Sequence, residues 1–205
     1  QLIKYIIMKT INRIFILITV SLFALSCKAQ TLGLDGSHDS PDGTYYKDLN
    51  NELDKFEGTW VYTNGNTILT ITFEKEEYVS VRNKHRDYLY GEYSYIENGE
   101  EVVNTLSNLN NSTTQKNIGG SYIHKKTDYP ACGDCTENER RIDMYFNDPE
   151  RSYLSDGIVV RYLLDETNPE KLEVVIYQSG GGILPDENSP DVPRVPYGTY
   201  IMEKQ

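Results

Sequence analysis

The most reactive side chains in the sequence are three thiols, and their spacing separates a lone Cys27 from a C-x-x-C pair, Cys132 and Cys135. In an oxidising compartment that pair can close a small disulfide, helped by the flexibility of Gly133. The same spacing suits a reactive dithiol, whose depressed thiol pKa makes it nucleophilic, or half of a zinc site. A reactive dithiol expects a strand-to-helix setting that residues 128–141 do not offer. Zinc needs two further ligands, and the histidines are only His38, His85 and His124. The disulfide is the first expectation, with the dithiol and the metal as its alternatives.

Other catalytic signatures are missing from the sequence. There is no Gly-x-Ser-x-Gly, no His-Glu-x-x-His and no glycine-rich phosphate loop between a strand and a helix. Acid pairs such as Glu76–Glu77 and Glu100–Glu101 could serve a glycosidase only if two carboxylates faced one another. Adjacent acids in hairpin-like segments are ordinarily solvated strand ends. No catalytic residue, metal or cofactor is expected, and a carboxylate-dependent hydrolase is kept as a lesser alternative.

Cys27 follows Lys9, Arg13 and the uncharged run Ile14 to Leu25. This is the layout of an export signal, and the run is shorter than the roughly 20 apolar residues of a spanning helix. Met8 is the expected start, with residues 1–7 as upstream sequence. Leu25, Ser26 and Cys27 resemble the bacterial lipobox, in which the thiol takes a diacylglyceryl group and cleavage leaves a lipidated terminus. At about 0.8 kcal/mol per buried CH₂, two or three acyl chains hold a domain on a bilayer. Signal cleavage after Ala29, or an uncleaved anchor, are the alternatives. Lys28 stands where some lipoproteins carry an aspartate that retains them at the inner membrane, so the outer membrane is expected.

Removing residues 1–27 takes away Lys4, Lys9 and Arg13 and no acid, moving the formal net charge from -11 to -14. Such a surface argues against nucleic acid as a partner. Residues 28–46, rich in Gly, Asp and Ser, read as a flexible tether. Asp35, Asp39 and Asp42 lack the alternate-position spacing of a calcium loop. Residues 47–205 then have the length of one domain.

That domain opens with Leu49, Leu53 and Phe56, whose four-and-three spacing predicts one short helix. About ten strand-like segments follow, among them 58–63, 67–74, 77–82, 87–96, 120–125, 140–146, 157–165, 171–178 and 197–204. Asn64–Gly65 and Asn98–Gly99 read as tight hairpin turns. The fold class is all-β and antiparallel, a barrel or a β-sandwich, and a barrel leaves no exposed edges.

Gly58, Thr59 and Trp60 on the first of these strands resemble the Gly-x-Trp opening of the lipocalin and calycin group, which implies a calycin-like barrel with Trp60 closing one end. Thr127, Asp128 and Tyr129 are similar to a second lipocalin signature. Taken whole, the lipobox, residues 55–62 and the Tyr-Gly-x-Tyr ending resemble a domain-of-unknown-function family of Bacteroidota lipoproteins, a resemblance that carries no known activity.

Tyrosine is abundant, 17 in all, and Tyr88, Tyr90, Tyr93 and Tyr95 are crowded into one segment. Strand alternation places Tyr88 and Tyr90 on one face and Tyr93 and Tyr95 on the other. Exposed tyrosines suit sugars, small apolar ligands or proteins, and stacking across a sheet is the alternative role. The Gly- and Pro-rich segment 178–198 excludes regular structure over most of its length, and its Ile183 and Leu184 are expected to fold over a barrel mouth as a lid. The sequence therefore predicts a lipid-anchored envelope protein with a non-catalytic module that binds a small apolar ligand or glycan. A structural or protein-interaction role is the runner-up.

Overall fold

The computed structural model describes Met8, Thr10 and residues 30–37, 39–111 and 113–205. Cys27 and His38 lie outside the described residues. The compact unit Thr31–Gln205 carries the fold.

Its strands are β1 (Thr31–Gly33), β2 (Tyr45–Lys47), β3 (Gly58–Asn64), β4 (Thr67–Val81), β5 (Lys84–Glu97), β6 (Glu100–Asn104), β7 (Ile118–His124), β8 (Arg141–Phe146), β9 (Asp156–Thr167), β10 (Glu170–Gln178) and β11 (Gly198–Lys204). Eight of them close an antiparallel up-and-down barrel in the order β3-β4-β5-β7-β8-β9-β10-β11, with β11 returning to β3. Such closure removes the sheet edges that these strands would otherwise expose. One edge of β5 pairs with β4. The other is shared in succession by β2 at His85–Arg86, β7 at Leu89–Gly91 and β6 at Ser94–Glu97.

Alternation drives the strands as expected. Leu69, Ile71 and Phe73 are buried while Thr70 and Thr72 between them are partly exposed. Asn98 and Gly99 both take positive φ, 53° and 85°, as a type I′ turn requires. The β3–β4 turn falls one residue later than the sequence suggests, on Gly65–Asn66, because Asn64 still pairs with Thr67. The two segments expected at 67–74 and 77–82 form one strand. A bulge between Glu76 and Val79 joins them, with Tyr78 at φ 60° and its N–H donated to Asp87 Oδ1 at 3.0 Å.

The interior is filled. Trp60, Leu69, Tyr93, Ile118, Ile158 and Leu172 are fully buried there, as an eight-stranded barrel of this diameter allows. Trp60 lies in this core with Leu53 and Phe56, its Nε1 donating to the Phe56 carbonyl at 2.8 Å, and Lys204 Nζ lies 5.2 Å from its ring centroid.

Three expectations need correction. The predicted helix over 47–56 is only a single 3-10 turn, Asp54–Phe56. Asn51 takes φ 53°, which a helix excludes, and the Asp48 carboxylate captures the N–H groups of Glu52 and Leu53. Leu49 is left 60% exposed. Secondly, the described residues of 31–46 are folded rather than a tether: β1 and β2 extend the sheet in parallel, with Leu34, Thr44 and Tyr46 buried. Thirdly, Ile183 and Leu184 stand exposed rather than packed down as a lid. The far half of that segment packs on the core instead, through buried Val195 and through Arg194 on the buried Asp148 carboxylate at 2.6 Å.

Candidate functional site

On the outer wall of β7 to β10, alternation points Tyr122, His124, Asp143, Tyr145 and Tyr177 away from the core. A bulge in β7 between Gly119 and Tyr122 sets Tyr122 opposite Asp143, and Gly119 opposite Tyr145. Tyr145 also faces Gly157, which faces Tyr177. Tyrosine and glycine therefore alternate across four strands, and each ring lies flat over a glycine. A Cβ on Gly119 would stand 2.6 Å from the Tyr145 hydroxyl, and one on Gly157 would stand 2.5 Å from Tyr177 Cζ. Only glycine admits these rings, the aromatic cover that offsets the weakness of glycine in a strand.

Because it lies across Gly157, Tyr177 reaches the Asp143 carboxylate, donating to Oδ1 at 2.7 Å. His124 Nε2 stands 3.4 Å from Oδ2 of the same group. Burial raises the Asp143 pKa, outweighing the Tyr177 bond and the nearby charges of His124 and Arg141. Burial also raises the Tyr177 and Tyr145 pKa values, so both phenols stay hydrogen-bond donors at neutral pH.

Two recesses meet at Tyr122 and Asp143. One, of about 470 Å³, runs past His124, Asp128 and Tyr129. The other, of about 410 Å³, runs past Tyr88, Tyr145, Tyr177 and Asp156. Tyr129 is 69% exposed and meets Tyr177 edge to face, with ring centroids 5.4 Å apart. Asp156 accepts from Tyr197 at 2.6 Å, and its pKa is raised by burial and the charge of Asp148. Aromatic faces beside carboxylates and phenols form a surface that stacks on flat apolar faces and hydrogen-bonds hydroxyls at their rims.

A larger recess of about 720 Å³ lies over Glu52, Lys55, Asp134, Arg140, Arg161 and Leu164. Its arginines are already committed, Arg161 to Asp134 and Glu139, and Arg140 to Asp35 and Glu52. It reads as an ion-paired wall. Cys132 and Cys135, on either side of its lining residue Asp134 in sequence, are joined by a disulfide.

The structure places Tyr88 on the outer groove, with Tyr90 beside it at a centroid distance of 5.1 Å. Tyr93, Tyr95 and Trp60 all lie in the core, so none of these three reaches the groove. Ile183 and Leu184 lie outside it as well. Sequence reading missed Tyr122, His124, Asp143, Tyr145 and Tyr177. Their signal was polar residues at alternate positions in 120–125 and 140–146, a pattern common to any outer sheet face.

Fold and groove together define an eight-stranded up-and-down β-barrel with a packed interior and an aromatic, acidic groove on its wall. The chain belongs to a family of unknown function (DUF6705), whose model matches residues 8–205. No curated protein and no solved structure matches the chain.

Proposed function

We propose that this protein is a lipid-anchored lipoprotein of the cell envelope, held at the outer membrane through Cys27, whose barrel is a non-catalytic module that binds a glycan on its outer wall. The observation that supports this reading is the tyrosine groove around Asp143, on a barrel whose interior is occupied by its own side chains. Sugar rings offer C–H faces to Tyr122 and Tyr129, and their hydroxyls suit Asp143, His124 and the phenols. An apolar ligand inside the barrel has less support, since the described recesses all open on the surface. The test is a glycan array followed by titration calorimetry of wild type, Tyr129→Ala and Tyr122→Ala. Retention of a glycan, weakened about ten-fold by either substitution, supports the reading. No retained glycan, or binding indifferent to both changes, overturns it.

A protein-interaction role draws on the exposed Ile183, Leu184 and Val192 of segment 178–198. It predicts a partner cross-linked through that segment and lost when Gly181–Pro190 is deleted.

A further inference from the structure

We propose that a third recess, of about 350 Å³ and lined by Tyr46, Arg82, Lys84, His85, Arg86 and Tyr122, is a binding site for a phosphate-type oxyanion. It lies where β2, the β4–β5 turn and β7 converge. The central observation is Arg86, which is only 3% exposed. Its guanidinium carbon sits 4.8 Å from the Tyr46 ring centroid and 4.4 Å from that of Tyr122. The hydrogen bonds it makes go to neutral oxygens: the Ser121 hydroxyl, the Ser121 carbonyl and the Leu34 carbonyl. Among the described residues no carboxylate stands at ion-pair distance from it.

That isolation is unusual in a chain with 31 acidic and 20 basic residues. Arg140, Arg161 and Arg194 each hold at least two carboxylates. Arg141, caged by three carbonyls, still feels the charges of Asp128, Glu173 and Asp143. Arg86 has tyrosines around it instead, whose ring faces stabilise a cation without neutralising it. A charge buried without a counter-charge is costly, and an oxyanion entering the recess would supply one. The hairpin adds two more cations at the rim. Arg82, at φ 57°, and Asn83 make the turn between Val81 and Lys84, so Arg82 and Lys84 flank the opening. Among the described residues no acid lines the recess.

The recess is larger than a bare phosphate, so the group is expected on a carrier. Two sources fit that chemistry: a phosphate monoester from solution, or a phospholipid headgroup. Leu34, whose carbonyl Arg86 holds, follows directly on β1. That strand starts at Thr31, four residues after Cys27, a distance an extended chain covers in about 14 Å. If Cys27 carries the lipid, only this short stretch of chain separates the acyl group from the strand that leads to Leu34.

The experiment titrates inorganic phosphate and glycerol phosphate into the full chain by calorimetry, beside the double variant Arg82→Gln/Lys84→Gln. Neither residue is part of the core, so the double variant keeps the fold, and circular dichroism confirms it. Arg86→Gln is measured in parallel. Saturable binding at millimolar phosphate, weakened about ten-fold or more in the double variant, supports the site. An absence of saturable binding in wild type, or equal affinity in the double variant, overturns it. Competition of glycerol phosphate by phosphatidylglycerol vesicles but not phosphatidylcholine vesicles supports the site and assigns it to the headgroup. Equal and undiminished binding with both supports it and assigns it to a dissolved monoester.

Discussion

Gly157→Ala is the sharpest perturbation of the outer wall, because its effect should reverse sign with the identity of one neighbour. The new Cβ would meet Tyr177 Cζ at 2.5 Å, well inside van der Waals contact, so the ring must leave its place. Such overpacking costs about 1–3 kcal/mol. Moving the ring also breaks the 2.7 Å bond from the Tyr177 hydroxyl to Asp143, about 1.5–3 kcal/mol for a bond to a charged group. Against this, the backbone of Gly157 lies outside the left-handed region, and replacing glycine there gains about 0.4–1 kcal/mol through the unfolded state. The net expectation is a loss of about 2–4 kcal/mol, since clash and lost bond overlap, or roughly 5–12 °C in Tm. In a Tyr177→Ala background the clash and the bond are both gone. There Gly157→Ala should be neutral or stabilising by about 0.4–1 kcal/mol. Urea unfolding of the four proteins measures the cycle. A destabilisation by Gly157→Ala that is the same in both backgrounds would refute the ring-on-glycine argument.

Other perturbations test the ends of the barrel and the chain. Arg194→Ala should cost about 3–5 kcal/mol by leaving the buried Asp148 carboxylate unpaired. Burial raises the Asp148 pKa, but its bonds to Arg194 and to the N–H groups of Arg194 and Glu150 outweigh that and hold it below 3.8. A carboxyl depressed on folding contributes stability above its unfolded pKa and loses it as pH falls through the folded value. Wild type should therefore lose this contribution only below about pH 4, and Arg194→Ala should lack that acid limb in denaturant midpoints measured against pH. Replacing Cys132 and Cys135 by serine should cost about 2 kcal/mol for so short a loop, with the far-ultraviolet spectrum unchanged. Unchanged thermal stability would mean that the bridge constrains nothing. Intact mass of protein from membranes of the native host should show cleavage before Cys27 plus diacylglyceryl, absent from Cys27→Ala. A mass beginning at Gln30 in both would remove the anchor.

Much of the barrel was legible because its strands bury one face and wet the other. The period-2 pattern in Leu69, Ile71 and Phe73, and the Asn98–Gly99 turn, have single structural solutions. The split of the tyrosines in β5, Tyr88 and Tyr90 outside against Tyr93 and Tyr95 inside, follows from the same alternation. The helical spacing of Leu49, Leu53 and Phe56 misled because an apolar period does not show that a neighbouring carboxylate will capture the backbone N–H groups. Asp48 folds back on Glu52 and Leu53, and Lys75 from β4 completes its pairing at 3.0 Å. Residues 31–46 read as a tether because β1 and β2 are three residues each, too short to alternate visibly. The groove was hidden for a different reason: it depends on register. Only the bulge in β7 brings Tyr122 opposite Asp143, and nothing in residues 118–124 announces which residue is unpaired.

The outer wall also bears on whether these tyrosines serve the sheet or a ligand. Glycine inside a strand weakens it by roughly 0.5–1 kcal/mol relative to alanine, and Gly119 and Gly157 flank Tyr145 on adjacent strands. A ring lying over each glycine offsets that loss, so Tyr145 and Tyr177 have a structural role whatever else they do. Tyr129 differs. It is mostly exposed on the β7–β8 connection, so the sheet gains little from its ring, whereas Tyr122 also covers the buried Arg86 guanidinium. Truncating Tyr129 separates the two roles: stability should hold within about 0.5 kcal/mol while glycan retention falls. If stability falls instead and retention does not, the aromatic wall is scaffolding, and the protein-interaction reading takes its place.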